Sequence, residues 1–355
     1  MKRIAVAALL GLLVVVPSAC ASSYLLRQTW EGAKLLQRRE PIARLLADPA
    51  TDPETRRKLR LVLEARAFAA DSLRLDAGDS YTVFTEVGRD TLLLVLSAAH
   101  KDRFEARTWW FPIVGSAPYK GYFDFDDARE AAQKLDARGF DTYLRTSSAY
   151  STLGFFADPV YSTVLRYGDL DLVNTVIHEL FHNTFFASGQ VTFNESLASF
   201  AGARGAIEFF CRRDGAESES CLRAAAAWQD ELRFAAFTTR LVAELQALYG
   251  RPELGSEEKV RLREEVFARA RARYAAEVRP RLRVENYDRV MERELNNAAI
   301  LARRIYSDRL DLFERVYRAR GGDFRRALHD LVAAARANPD DPYAAVAALA
   351  GGRGL

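Results

Sequence analysis

The chain has 355 residues, 49% hydrophobic and 28% charged, enough for one large domain or two fused ones and unlike a disordered chain. Fifty-one basic residues stand against 48 acidic ones, a formal charge of +3, so the strong basic excess of a nucleic-acid binder is missing. Three Cys and four His exclude a Cys-rich scaffold or a zinc-finger array and make any grouping of His informative.

Lys2 and Arg3 precede an apolar run from Ile4 to Val16, followed by Pro17-Ser18-Ala19-Cys20. A basic start, a short apolar stretch and small residues is the layout of a secretory signal, here 1–19, and the run falls short of the ~20 residues of a membrane span. The segment resembles a bacterial lipoprotein signal. That resemblance implies a lipid on Cys20 anchoring the chain to a membrane, and Ala21 rather than Asp after it implies the outer membrane. The alternative is ordinary cleavage after Ala21. After either cleavage Cys211 and Cys221 remain, flanking a polar Gly-containing stretch. An even pair closing a short loop in an oxidising compartment reads as a disulfide, the other reading being two unrelated thiols.

Residues 20–77 read as helices: apolar positions at helical spacing around Leu35, Ile42 and Leu46, then Asp52-Pro53-Glu54 as a cap and first turn. Residues 78–160 read as a small mixed sheet, with strands over 81–87, 91–97, 108–114 and 141–147 and one helix over 126–137. From Asp169 the pattern is helical almost to the end, over 170–187, 193–210, 219–249, 256–278, 283–306, 308–319 and 323–337. The expected fold is therefore α+β and predominantly helical. It divides into N-terminal helices (20–77), a sheet region (78–160), the site helices (161–250) and a C-terminal helical region (251–355).

Val176-Ile177-His178-Glu179-Leu180-Phe181-His182-Asn183 places H-E-x-x-H inside a helical pattern. Two His at i and i+4 project from one face and suit one Zn²⁺, with Glu179 beside the open position as general base. Downstream, Phe193-Asn194-Glu195-Ser196-Leu197 follows a turn, and a returning helix would carry Glu195 back as third ligand. The opposing readings are two core histidines and a surface carboxylate. An apolar setting for Glu195 speaks against the second.

The N-E-x-x-A run resembles the third-ligand helix of the gluzincin metallopeptidases, and the whole mature chain resembles a bacterial family of metallopeptidases labelled predicted aminopeptidases. Carrying that resemblance are Arg38-Arg39-Glu40-Pro41-Ile42, Phe111-Pro112-Ile113-Val114-Gly115, Pro118-Tyr119-Lys120-Gly121-Tyr122-Phe123, Ala149-Tyr150-Ser151-Thr152-Leu153-Gly154, the HELFHNT run, Asn194-Glu195-Ser196 and Asn296-Asn297-Ala298. It implies a zincin-like fold with the sheet next to the H-E-x-x-H helix, a Zn²⁺ cofactor, and a peptide substrate in the cell envelope. By the same resemblance a Tyr or His from elsewhere stabilises the oxyanion. Tyr306 is the candidate, with Tyr150, Tyr119 and Tyr122 as rivals. His100 and His329 read as surface or packing residues, though His329 is also a possible oxyanion donor. Tyr150, Ser151, Thr152, Leu153 and Gly154, ahead of the site helix, are expected to line the substrate cleft. Asn174 and Ser199 are one turn from His178 and Glu195, and Ser199 stands where thermolysin-like members carry an Asp. The competing function is a lipid-anchored structural or binding protein with a vestigial zinc site. An intact Glu179 favours the enzyme.

Overall fold

The computed structural model describes residues 24, 30–111, 115–148, 158–293 and 295–351. Cys20 and the residues expected to line the cleft, Tyr150, Ser151, Thr152, Leu153 and Gly154, lie outside them. The described chain is predominantly helical with small sheets.

Strand β1 (Arg39–Pro41) runs into helix α1 (Ile42–Ala47), and α2 (Pro53–Asp71) follows. Asp52 caps α2 by accepting the Thr55 N–H at 2.8 Å, with Pro53 in the first turn. Strands β2 (Val83–Thr85), β3 (Leu93–His100), β4 (Trp109–Phe111), β5 (Gly115–Ala117) and β6 (Tyr119–Tyr122), helix α3 (Phe125–Asp136), and strands β7 (Phe140–Ser147) and β8 (Val160–Tyr161) make up the middle. Instead of one mixed sheet they form three small ones. These are β1-β2-β8, in which β2 and β8 are parallel, an antiparallel β6-β3-β7, and the hairpin β4-β5. The expected strand over 81–87 shrinks to three residues, and β1 interrupts a stretch read as helical because extended Pro41 pairs with Val83.

Helices α4 (Asp169–Thr184), α5 (Val191–Asp214) and α6 (Glu219–Tyr249) follow, then α7 (Ser256–Arg273), α8 (Asp288–Arg293), α9 (Asn297–Ser307), α10 (Leu310–Ala319), α11 (Phe324–Ala337) and α12 (Pro342–Gly351). The helix expected over 283–306 is broken. Asn296 is extended, accepts the Ala299 N–H at 2.8 Å and donates to the Thr142 carbonyl at 3.0 Å, so its amide starts α9 instead of continuing a helix. The expected 256–278 helix loosens after Arg273 into a π turn.

Leu172, Val173, Val176, Ile177, Leu180 and Phe181 form the buried stripe of α4, packed in the main core with α2, α5 and α10–α12. Asp169, in the first turn of α4, accepts from Arg57 at 2.7 and 2.9 Å and pairs with Lys58 at 2.8 Å, which fixes α4 to α2. A disulfide joins Cys211, near the end of α5, to Cys221 in the first turn of α6, with Cα atoms 4.6 Å apart. No described helix is long and apolar enough to cross a membrane.

Candidate metal centre

The buried stripe of α4 turns His178, Glu179 and His182 to a less buried flank of the helix. Helix α5 returns against that flank after a turn through Gly189, whose φ of +76° suits glycine. Asn194 closes the turn: its amide accepts the Ala187 N–H at 2.9 Å and donates to the Ala187 carbonyl at 2.8 Å, fully buried. Two glycines let the helices touch. A Cβ on Gly202 would lie 2.3 Å from Asn174 Oδ1, 2.8 Å from the Asn174 carbonyl and 3.1 Å from His178 Cβ. On Gly205 it would lie 2.9 Å from Ile177 Cγ2.

This approach brings Glu195 to the two imidazoles. His178 Nε2 and His182 Nε2 are 3.2 Å apart, and Glu195 Oε2 lies 3.3 Å from the first and 3.5 Å from the second. Donors placed tetrahedrally about 2.0–2.1 Å from one ion stand about 3.3 Å from each other, so the spacing fits zinc. Among the described residues, this is the group of three His, Cys, Asp or Glu side chains close enough to share an ion. Burial opposes the Glu195 charge, but both imidazoles hold its carboxyl well below the usual carboxylate range. Burial pushes the Glu179 carboxyl up, against the pull of His178 and His182. Burial works against a proton on His182, and Glu195 outweighs it, raising that pKa.

Ser196 ties the next element on. Its hydroxyl donates to the Ile305 carbonyl at 3.0 Å and accepts the Asp308 N–H at 3.0 Å, locking the end of α9 to α5. Tyr306 is thereby held with its ring centroid 6.3 Å from that of His178. From β7, Arg145 Nη2 donates to the Tyr306 hydroxyl at 3.0 Å, and its guanidinium lies 5.3 Å from the Tyr306 ring centroid. A guanidinium has no acceptor, so the phenol accepts from Arg145 and its own O–H is free to donate elsewhere. Burial pushes the Tyr306 phenol up to about 12, which keeps that proton in place near neutral pH.

A cavity of about 510 Å³ opens on these groups, lined by His178, Glu179, Tyr306, Arg145, Asn174 and Ser199. Its wall also carries Asp171, Glu231, Glu285 and Arg303. Of the rival tyrosines, Tyr119 on β6 feels the fields of Tyr306, Glu195 and Arg145, and burial raises its phenol well above the usual range. Tyr122 packs against Tyr24 at 5.4 Å in the core under α3, away from the cavity. Tyr150 lies outside the described residues. His100 Nε2 meets Arg103 at 2.8 Å, and His329, 79% exposed, meets Asp330 at 3.2 Å. Neither is among the residues that line the cavity. Sequence reasoning missed Arg145, Gly202 and the locking roles of Asn194 and Ser196. The signal for the close helix approach was the pair of glycines, Gly202 and Gly205, inside a helical pattern, where glycine costs stability unless a neighbour needs the space.

Among known proteins, the model of the family described as "Putative aminopeptidase" matches residues 23–342. No curated protein and no solved structure matches the chain.

Proposed function

The chain belongs to the "Putative aminopeptidase" family, and on that premise we propose that it is a zinc-dependent peptidase of the cell envelope that hydrolyses peptide bonds. The observation that supports this most is the set of three donor atoms 3.2–3.5 Å apart beside Glu179. His178, His182 and Glu195 would hold the ion. Bound zinc supplies a water acidic near neutral pH and polarises the scissile carbonyl. Glu179 takes the water proton on its carboxylate and passes it to the leaving nitrogen; its burial favours the protonated form between the two transfers. Tyr306 donates its hydroxyl proton in a hydrogen bond to the carbonyl oxygen as charge develops there. The cavity binds the peptide beside these groups. Tyr150, Ser151, Thr152, Leu153 and Gly154 extend the cleft in this reading, and a lipid on Cys20 fixes the enzyme to the membrane face.

The test pairs metal content with cleavage of a peptide library having free and blocked N-termini. Wild type and Glu179→Gln are each expected to hold one zinc per chain, while Glu179→Gln loses about 10²- to 10⁴-fold in hydrolysis. Unchanged hydrolysis in that variant removes Glu179 as the base, and native protein without stoichiometric zinc removes the metal reading. Preference for free N-termini separates an aminopeptidase from an endopeptidase.

A further inference from the structure

Two arginines line the cavity, and they differ in their partners. Arg303 is matched: its Nη2 lies 3.0 and 3.2 Å from the carboxylate oxygens of Glu231. Among the described residues, Arg145 has no carboxylate within ion-pair distance. Among them it donates to the Tyr306 hydroxyl and lies over the face of the same ring. Burial works against its charge, and the hydrogen bond and ring face of Tyr306 offset part of that cost. Arg145 is half-buried in the cavity wall, and a guanidinium partly withdrawn from water gains from an anion that replaces the lost hydration. A guanidinium presents five N–H groups in a planar fork that fits a carboxylate with two parallel bonds. Arg145 spends one of them on Tyr306 and stands in the same cavity wall as His178 and Glu179.

We propose that Arg145 is a substrate-anchoring residue that takes a carboxylate of the bound peptide, next to the group being hydrolysed. This deepens the peptidase reading and rests on it for the identity of the ligand as a peptide. The carboxylate is the C-terminal one of a short peptide or the side chain of an Asp or Glu residue; both carry the chemistry Arg145 selects. Occupation would complete the ion pair that the protein alone leaves open. The phenol of Tyr306, already oriented by Arg145, would couple anchoring to the oxyanion side of the cavity.

Binding and turnover are measured separately. Calorimetry on the full-length protein, dialysed against chelator, compares alanyl-alanine with alanyl-alanine amide, and acetyl-aspartate amide with acetyl-asparagine amide. Wild type is expected to bind at least one carboxylate partner about tenfold or more tighter than its neutral isostere. The pair that shows the gap tells a C-terminal from a side-chain carboxylate. Arg145→Gln is expected to close the gap and Arg145→Lys to keep part of it. In a cleavage assay with zinc, the same acid-over-neutral preference is expected in KM for wild type and is lost in Arg145→Gln. Equal binding of acid and amide by wild type overturns the proposal without any variant needing to fold. So does an Arg145→Gln variant that weakens acid and amide equally. A protein that binds the carboxylate through Arg145 but cleaves nothing leaves this inference standing and removes the peptidase reading.

Discussion

The two ends of strand β7 hold charges in opposite ways. At one end Asp141 is closed in: its carboxylate takes Arg263 at 2.6 and 3.0 Å and the Asn297 N–H at 3.0 Å, with both side chains at least 93% buried. Arg263 also donates to the Lys101 carbonyl at 2.9 Å. Four residues along, Arg145 meets a phenol and an open cavity. The first arrangement leaves nothing for a ligand to satisfy and joins β7 to α7 and α9. The second leaves most of a guanidinium without a partner among the described residues, in the same cavity wall as His178 and Glu179. One strand thus carries a structural charge and a receptive one, and what separates them is whether the protein itself supplies the counter-ion.

The contrast can be broken by removing each arginine. Arg263→Met strands a buried carboxylate and is expected to cost about 3–5 kcal/mol in urea unfolding. Arg145→Met gives up one hydrogen bond and a cation that nothing balances, and it is expected to change stability by no more than about 1 kcal/mol. Equal costs would mean that Arg145 is as structural as Arg263. The joint between the site helices comes next. Gly202→Ala drives a Cβ into Asn174 and His178 and is expected to cost about 1–3 kcal/mol, together with weaker zinc retention on dialysis. Ser196→Ala leaves the Asp308 N–H without its acceptor and is expected to cost about 1–3 kcal/mol and to loosen Tyr306. The smallest effect belongs to Asp169. Its bonds from Arg57 hold its carboxyl below the ordinary value of about 3.9. Stability from that pair is full above the unfolded value and is lost as pH falls through the folded one. Arg57→Met should therefore flatten the acid limb of thermal stability, by about 1 kcal/mol or less because both side chains are more than a third exposed.

The helices were legible because apolar residues recur at helical spacing: the patterns over 219–249 and 323–337 coincide with α6 and, within a residue, with α11. The sheet region was less so. Its strands are two to eight residues long, and their pairing follows contacts distant in sequence, such as Thr85 with both Arg39 and Tyr161. Asn296 and Asn297 read as helix interior, yet the first caps α9 and the second, buried, donates to the His100 carbonyl at 2.8 Å. An amide with a distant partner outweighs local helical preference, and the partner is invisible in the chain order.

Sequence alone determined the pair His178 and His182, because 3.6 residues per turn puts i and i+4 on one face wherever the helix lies. It also pointed to Glu195, through the turn that separates two amphipathic stretches. Only the tertiary structure decided the rest. The closeness of Glu195 to both imidazoles depends on Gly202 letting α5 reach α4, and the placing of Tyr306 depends on Ser196 gripping the end of α9. The openness of Arg145 is a property of what its described neighbours lack, and that is read only once the elements around the side chain are placed.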